Sequence, residues 1–333
     1  MKRRIGTLLI SLMLVFSALF AVGCSKETSN SGQAPQQEKK EKIKIAVLKG
    51  PTGMGIVKLM EDNKDLYDIS LFDSPDQIVS KIVNGDVDGA AVPSNLAPIL
   101  YNKTSGKIQL LGVNTLGILY IVENGNSIKD IKDLKGKTIY SSGKGGTPEY
   151  TLNYILKKNG LEPDKDVKIE YKMQHSDLAA AVASKEVQIA VLPEPFVTTT
   201  KMKNKELQVP IDLTKEWEKV SGDKGKLIMG TLVFRKDFVD KKSKDVQDFL
   251  TKYKASVDFV NNNKAEAGKL IEKNGIIANA KIAEMAIPKC NIVFMSAEES
   301  KEALNKFYEV LKENDPKSIG GKIPDEKFYY SGK

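Results

Sequence analysis

The chain has 333 residues, 41% of them hydrophobic, which suffices for a large core and about two domains. Its net charge is +8, but 51 Lys and Arg are mixed with 43 Asp and Glu, and only three of the basic residues are Arg. This dispersed, Arg-poor charge argues against nucleic-acid binding. With two Cys and one His, a disulfide framework or a Cys/His metal site is not expected either.

The first residues predict an export signal. Basic residues at positions 2–4 precede an apolar stretch, residues 5–22, which ends in small residues before Cys24. This layout is typical of a signal peptide. The alternative is a transmembrane anchor, which the Gly and Ser residues within the stretch disfavour.

The four residues 21–24 resemble a bacterial lipobox, which implies lipid attachment at Cys24. We therefore expect residues 1–23 to be a lipoprotein signal peptide. Residues 24–42 are rich in Ser, Gln, Glu and Lys and predict a flexible tether. The mature protein is then extracytoplasmic, anchored by lipid to the outer face of the cell membrane.

Strand-like and helix-like segments alternate along the rest of the chain. Apolar runs of four to six residues predict buried strands, and each is followed by a segment of helical periodicity. Such alternation is typical of an α/β fold with largely parallel sheets. The strand and helix pairs are 43–48 and 54–61, 87–92 and 96–101, 138–141 and 149–158, and 187–192 and 196–202.

Three helix starts carry recognisable capping signals. Ser74 with Gln77 forms a capping box, and Ser296 with Glu299 forms another. Thr147 stands directly before a proline, which predicts Thr147 as the cap of a helix that begins at the proline.

An internal repeat relates two parts of the chain. Residues 77–97 align without a gap on residues 177–197, with apolar residues at matching positions. Residues 43–63 and 139–159 can be paired in the same way as strand, Gly-rich turn and helix. We interpret these matches as two lobes built on one plan.

A third part of the chain does not repeat. It contains a strand-like run, residues 227–235, and long amphipathic helices such as residues 243–261. If the chain crosses to the second lobe near 118–122 and returns near 229–233, these helices complete the first lobe. The first lobe is then 43–118 plus 232–333, the second is 119–231, and two strands form the hinge.

The turn in "KIAVLKGPTGMGIVKLMED", residues 44–62, does not fit a nucleotide site. Gly50, Gly53 and Gly55 are followed by Ile56 and Val57 in place of the Lys and hydroxyl residue of a phosphate-binding loop. A dinucleotide fingerprint also lacks its third glycine. What remains is a helix start whose free N–H groups can bind a polar ligand.

Several of these segments resemble one protein family. The telling pieces are "LKGPTGMG", "GDVDGAAVPSNLA", "IKDLKGKTI", "GKGGTPEYTLNYILKKNG" and "VLPEPF". With the lipobox and the repeat, they resemble the solute-binding lipoproteins of ABC importers, in the group that handles nitrate, sulfonates, taurine and thiamine precursors. The resemblance runs from about residue 43 to residue 330. It implies a type 2-like periplasmic-binding-protein clamshell that closes on one small molecule and delivers it to an ABC permease and its ATPase.

In open α/β sheets, ligands bind outside the carboxyl ends of the strands. The segments at these ends are rich in glycine, hydroxyl and amide residues, which can replace water around a polar ligand. The candidate ligand-binding residues are Thr52, Gly53, Met54, Ser74, Ser94, Asn95, Asn114, Thr115, Gly145, Gly146, Thr147, His175 and Glu194.

Some candidates have a structural alternative. Ser74 could serve only as a helix cap. Glu194, the repeat partner of Ser94, would favour an amine or a protonated ring nitrogen, or could be a surface carboxylate held between prolines. His175 could reach the ligand or have a purely structural role. Cys290 is interpreted as a buried apolar residue.

These observations predict transport binding of a sulfonate/taurine-like or thiamine-precursor pyrimidine-like nutrient by a monomer. No catalytic residues, cofactor or metal are expected, because the single His and the unpaired Cys290 leave no catalytic set to assemble. The alternatives are an enzyme on the same fold, of the menaquinone- or thiamine-pyrimidine-pathway type, and an extracellular ligand sensor.

Overall fold

The computed structural model describes residues 41–171, 173–222 and 225–332. The predicted signal peptide, the lipid-attachment residue Cys24 and the tether up to residue 40 lie outside this part of the chain. Within it, no helix is both long and apolar enough to cross a membrane.

Eleven strands occur among the described residues, and they form two sheets. In chain order they are β1 (Ile43–Leu48), β2 (Tyr67–Phe72), β3 (Gly89–Pro93), β4 (Ile108–Leu116), β5 (Leu119–Glu123), β6 (Thr138–Tyr140), β7 (Lys168–Glu170), β8 (Ile189–Pro193), β9 (Gln208–Asp212), β10 (Ile228–Arg235) and β11 (Ile292–Ser296).

The α-helices of the described part pack around these sheets. They are α1 (Pro51–Met54), α2 (Val57–Asp62), α3 (Pro75–Asn84), α4 (Leu96–Lys103), α5 (Thr147–Lys158), α6 (His175–Ala183), α7 (Phe196–Lys203), α8 (Leu213–Ser221), α9 (Lys236–Lys241), α10 (Ser243–Asn262), α11 (Lys264–Lys273), α12 (Ala280–Ala286) and α13 (Ala297–Asn314).

The two sheets share one topology. The first has the order β11-β4-β10-β3-β1-β2, and the second has the order β7-β6-β8-β5-β9. In each, three parallel strands are followed by one antiparallel strand, β10 beside β3 and β5 beside β8. We call the parts built on these sheets the first lobe and the second lobe. The expected α/β clamshell of two similar lobes is confirmed.

Strand pairing supports the repeat residue by residue. Ala46 pairs with Ser70 and Ala90, whereas Tyr140 pairs with Glu170 and Ala190. The spacing of 100 residues seen in the sequence therefore relates β2 to β7 as well as β3 to β8. The turn before α5, residues 141–146, is longer than the turn before α1, residues 49–50. The gap-free pairing of 43–63 with 139–159 is consequently wrong for the first strands, although it aligns the helix starts.

Two connections join the lobes. The first is Gly117 and Ile118 between β4 and β5, and the second runs through α8 to β10. A Cβ atom at Gly117 would lie 2.2 Å from Thr214 Oγ1, so the first connection packs directly on the start of α8. β10 pairs with β4 from its first residue, Ile228, and with β3 from Gly230 onward. The boundary expected at residues 231 and 232 therefore falls inside this strand.

An aromatic cluster packs the second lobe on the first beside these connections. Trp217 of α8 lies between Tyr154 of α5 and Phe307 of α13, with ring centroids 5.0 and 5.5 Å apart. Its indole Nε1 donates a hydrogen bond to Gly225 O, and the side chain is fully buried. The single Trp of the chain thus reports on the contact between the lobes.

The predicted helix starts are confirmed at α3 and α13. Both carry capping boxes, Ser74 with Gln77 and Ser296 with Glu299. The prediction for α5 is wrong, because Gly146 is the N-cap and Thr147 is already the first helical residue. The Thr147 hydroxyl is consequently not used as a cap.

The glycine turn after β1 also differs from its prediction. The single helix expected over 54–61 is two short helices, α1 and α2. Gly50 adopts a φ of 106°, and a Cβ atom at Gly53 would lie 2.5 Å from Leu48 O. Both glycines are therefore required by the sharp reversal of the chain itself.

Candidate functional site

A cavity of about 540 Å³ lies between the lobes at the carboxyl ends of the strands. Its walls are formed by the turns that follow β1, β2 and β3 in the first lobe and β6, β7 and β8 in the second. This is the position at which open α/β sheets bind ligands.

Most of the sequence-predicted site residues are brought together here, although their contact with a ligand stays a prediction. Those that line the cavity are Thr52, Ser74, Asn95, Thr115, Gly145, Gly146, Thr147, His175 and Glu194.

Four predicted residues do not line the cavity. Met54 is fully buried in the core of the first lobe, and Gly53 backs onto the carbonyl of Leu48. Ser94 is also fully buried, and its hydroxyl donates a hydrogen bond to Ile228 O. Asn114 lies behind the wall, where its Oδ1 accepts a hydrogen bond from Thr115 Oγ1 at 3.1 Å. These side chains support the turns that form the wall.

Three of the predicted residues bind one another across the cleft. Asn95 Nδ2 donates to Gly145 O at 3.3 Å, and Thr147 Oγ1 donates to Asn95 Oδ1 at 3.1 Å. The hydroxyl oxygens of Ser94 and Thr147 are 3.2 Å apart. Because Asn95 belongs to the first lobe and Gly145 and Thr147 to the second, the structure shows the lobes in contact over the cavity.

Five helices of eight residues or more begin at the cavity wall. The backbone N–H groups of a first helical turn have no partner within the helix, and the macrodipole places positive charge there. A small anionic group in this cavity would therefore be stabilised. The helices are α3, α4 and, from the second lobe, α5, α6 and α7.

His175 is the first residue of α6. Its Nδ1 is hydrogen-bonded to Ser142 Oγ, and its ring stacks on Phe196 with centroids 5.6 Å apart. Burial lowers the pKa of His175 to about 4. The imidazole is consequently neutral at physiological pH.

Glu194 is 1% exposed, so the alternative of a surface carboxylate held between prolines is wrong. Its two carboxylate oxygens accept hydrogen bonds from Thr198, at 3.1 Å from the backbone N and at 3.0 Å from Oγ1. Burial raises the pKa of Glu194, and the two hydrogen bonds from Thr198 act in the opposite direction. The carboxylate thus closes the first turn of α7 while lining the cavity.

The rim of the cavity carries charges of both signs. Lys49 forms an ion pair with Asp73, with Nζ and Oδ1 2.9 Å apart. Lys144 lies over the ring of Tyr171, with Nζ 6.0 Å from the centroid. Arg235 is engaged by Asp237 and does not line the cavity. Fixed charge at this site is therefore nearly balanced, which disfavours a strongly charged ligand.

The aromatic and apolar part of the wall is not among the sequence-predicted site residues. Tyr171 and Phe196 line the cavity, with Met173 and Met229 beside them. The Tyr171 hydroxyl is a buried atom without a hydrogen-bond partner among the described residues, so a ligand could bind it. The internal repeat offered a way to predict Phe196 as a wall residue. Phe196 corresponds in the repeat to Leu96, which also lines the cavity.

The titratable groups give no indication of a metal site or a nucleophile. Within the described residues, no three His, Cys, Asp or Glu side chains cluster as metal ligands would. Cys290 is fully buried, as expected, and burial raises the pKa of its thiol well above the usual value.

Comparison with solved structures defines the class of protein. An ABC transporter protein from Parabacteroides distasonis superposes with a TM-score of 0.74 at 25% identity, covering 87% of this chain and 99% of that chain. The periplasmic aliphatic sulphonate binding protein SsuA from Escherichia coli superposes with a TM-score of 0.66 at 17% identity, covering 87% and 92%. The fold, with its cavity between two lobes, is that of the solute-binding proteins of ABC transporters.

Sequence comparison finds similarity to one family over part of the chain. Residues 107–267 match the family model described as NMT1/THI5 like. YtlA of Bacillus subtilis, whose name assigns it a binding role without naming a ligand, is 35% identical over 66 residues, 20% of each chain. The chain spans between 20% and 31% of the length of the curated relatives it matches. The family model and the relatives each match part of the chain, and the relatives are named as binding proteins rather than as enzymes.

Proposed function

We propose that this protein is the extracytoplasmic substrate-binding component of an ABC import system. It captures a small polar organic nutrient between its lobes and delivers it to a permease driven by an ATPase. The observation that supports this function best is the convergence of five helix N-termini, from both lobes, on one cavity of about 540 Å³.

The ligand that the cavity suits best carries an anionic group and a short apolar or aminoalkyl body, as an alkanesulfonate or taurine does. The helix N-termini favour the anion, while Met173, Phe196 and Met229 offer apolar surface. The nearly balanced fixed charges of the rim fit a monoanion or a zwitterion. The sulphonate specificity in the name of the Escherichia coli protein agrees with this choice.

A pyrimidine-like thiamine precursor is the second candidate. The stacked rings of His175 and Phe196 could pack against a heteroaromatic ring, and the Glu194 carboxylate could accept a hydrogen bond from an amino group. The two candidates differ in charge, and this difference decides between them.

The membrane anchor and the lobe boundaries belong to the same proposal. We infer lipid attachment at Cys24, a tether up to residue 42, and the two lobes expected from the sequence, with the whole of β10 in the first lobe. A protein tethered in this way would work as a monomer beside its permease. The residues proposed to contact ligand are the predicted residues that line the cavity together with Tyr171 and Phe196.

A ligand screen tests the function. Purified protein is stripped of bound molecules and mixed with taurine, ethanesulfonate, nitrate or an aminopyrimidine while its thermal unfolding is followed. A true ligand at 100 times its Kd adds about 2.7 kcal/mol of stability. Mass spectrometry of the unstripped protein identifies any co-purified molecule. Stabilisation by a nucleotide or a metal ion, with none by these compounds, would contradict the proposal.

The ligand screen alone does not distinguish transport from sensing, so uptake of the ligand by cells is measured as well. A binding protein of an importer delivers its ligand, so uptake of the radiolabelled ligand by cells should cease when Cys24 is replaced by Ser and the protein is released. Unchanged uptake with loss of a transcriptional response would favour the extracellular sensor.

A further inference from the structure

We propose that Ser142 positions the His175 ring as a neutral hydrogen-bond donor, with Nε2–H available to an oxygen atom of the ligand. This inference rests on the proposed function and deepens it, because it assigns an oxygen acceptor, rather than an ammonium group, to the part of the ligand beside α6. Ser142 is then a positioning residue and His175 a ligand-binding residue.

The position of the ring is fixed from two directions. Ser142, in the turn after β6, is 3% exposed, and its Oγ is hydrogen-bonded to His175 Nδ1. On one face the ring stacks on Phe196 of α7. With Nδ1 and one face occupied, Nε2 is the ring nitrogen left for a ligand in the cavity that His175 lines.

The Ser142 hydroxyl proton needs an acceptor, and this requirement decides which nitrogen of the His175 ring carries a proton. If Nδ1 carried the proton and donated to Ser142, the serine O–H would need another acceptor, and no other is found for it among the described residues. A buried hydroxyl proton without an acceptor is costly. If Ser142 donates to Nδ1, its proton is satisfied and the ring proton resides on Nε2. The second arrangement satisfies the Ser142 proton within the protein and leaves Nε2–H for the cavity that both residues line.

The ring also stays uncharged in this environment. It is the first residue of a helix, where the dipole disfavours a positive charge. The charged groups that line the cavity are Lys49, Asp73, Asp76, Lys144 and Glu194, and among the described residues none of them is hydrogen-bonded to the imidazole. A neutral Nε2–H donor binds a sulfonate, carboxylate or carbonyl oxygen but offers nothing to an ammonium group.

The chain offers a direct measurement, because His175 is its only histidine. Protein labelled with ¹⁵N in the imidazole gives two nitrogen signals from this one residue, and their couplings to the ring C–H protons distinguish Nδ1 from Nε2. We expect one unprotonated Nδ1 and one protonated Nε2 in the ligand-free full-length chain at pH 7. In Ser142→Ala the tautomers should mix, and in Ser142→Thr the wild-type signals should return.

Ser141→Ala is the matched control. Ser141 is the adjacent buried serine, and its hydroxyl donates to Ser142 O at 3.3 Å rather than to the histidine. This variant should keep the wild-type imidazole signals. A change in tautomer equal to that in Ser142→Ala would show a general loosening of the turn and overturn the positioning role.

Ligand binding completes the test. Calorimetry with ethanesulfonate should show at least fivefold weaker binding for Ser142→Ala and His175→Phe, and less than twofold change for Ser141→Ala. A charged or Nδ1-protonated ring in the free wild-type protein would overturn the inference alone. Failure of every probe to bind would overturn the proposed function and, with it, the ligand role of His175.

Discussion

Asn95 and Thr147 bind each other across the cleft between the lobes, although each stands at a strand end where a ligand contact is expected. The Asn95 side chain accepts a hydrogen bond from Thr147 Oγ1 at 3.1 Å and donates one to Gly145 O at 3.3 Å. Asn95 is 3% exposed and Thr147 is fully buried. Opening the lobes would break both bonds and hydrate these groups, so they stabilise the closed state alone.

Thr147→Val should therefore weaken ligand binding through the loss of this contact between the lobes. Loss of one buried hydrogen bond costs about 1 kcal/mol, so the closed state becomes about fivefold less populated. Dissociation should accelerate by a similar factor. Stopped-flow measurements can follow it through Trp217, which lies at the contact between the lobes.

The control for this prediction is Thr147→Ser. It keeps the hydroxyl that donates to Asn95 and should release ligand at nearly the wild-type rate. If Thr147→Val releases ligand at the wild-type rate, the hydrogen bond to Asn95 does not stabilise the closed state.

Much of this fold is predictable from the sequence because its information is local. Hydrophobic periodicity gives the alternating strands and helices, and the spacing of 100 residues gives the equivalence of the lobes. The contact between Asn95 and Thr147 is of another kind. It exists only when two lobes built from distant segments close, and the sequence cannot tell whether two polar residues at a cleft bind a ligand or each other.

The apolar part of the cavity wall is also difficult to predict from the sequence. A search for hydroxyl, amide and glycine residues finds the turns but passes over Tyr171 and Phe196, whose type is usual in a core. The chain returns to the first lobe through α8, before β10 begins, whereas the boundary between the lobes was expected within β10. Pairing along the whole of β10 assigns its first residues to the sheet of the first lobe, a register that tertiary packing decides.

Ser74 and Ser296 form a natural pair for separating capping from ligand binding. Both belong to capping boxes, but only Ser74 lines the cavity. The Ser74 box is the looser one, because Gln77 Oε1 is 3.4 Å from Ser74 N, whereas Glu299 Oε2 is 2.8 Å from Ser296 N. Ser296→Ala should cost about 1 kcal/mol of unfolding free energy and leave affinity unchanged.

Ser74→Ala should cost no more stability than Ser296→Ala but should weaken binding severalfold. Urea unfolding and calorimetry on both variants provide the comparison. Unchanged affinity in Ser74→Ala would restrict this residue to capping.

Glu194→Gln tests the charge of the ligand. The amide can replace both bonds to Thr198, since its oxygen accepts from the backbone N and its nitrogen donates to the hydroxyl. Burial raises the pKa of Glu194, so its ionised form is disfavoured in the folded state, and the variant should be at least as stable at pH 7.

The expected effect on binding depends on the ligand. A cationic or zwitterionic ligand should bind about tenfold more weakly to Glu194→Gln, a change of about 1.4 kcal/mol, whereas an anion should bind equally or better. Asp73→Asn removes an equal charge from the exposed rim and should alter either affinity less than twofold. Weaker binding of an anionic ligand to Glu194→Gln alone would show that the carboxylate has a structural role at the wall.

His175 should make stability depend on pH in a defined window. Burial lowers its pKa from 6.5 to about 4, so between these values the unfolded chain binds more protons than the folded one. Stability contributed by the neutral ring is therefore complete above pH 6.5 and is lost as the pH falls through this range.

The loss between pH 7 and pH 4.5 should be at most about 3 kcal/mol, since about two pH units of the window are crossed and each corresponds to about 1.4 kcal/mol. Carboxylates that titrate in the same range affect wild type and His175→Gln alike. The difference between the two proteins in urea unfolding, measured at several pH values, consequently isolates the histidine. A difference that does not change with pH would mean that the ring titrates equally in both states, and the neutral imidazole of the folded state would have to be abandoned.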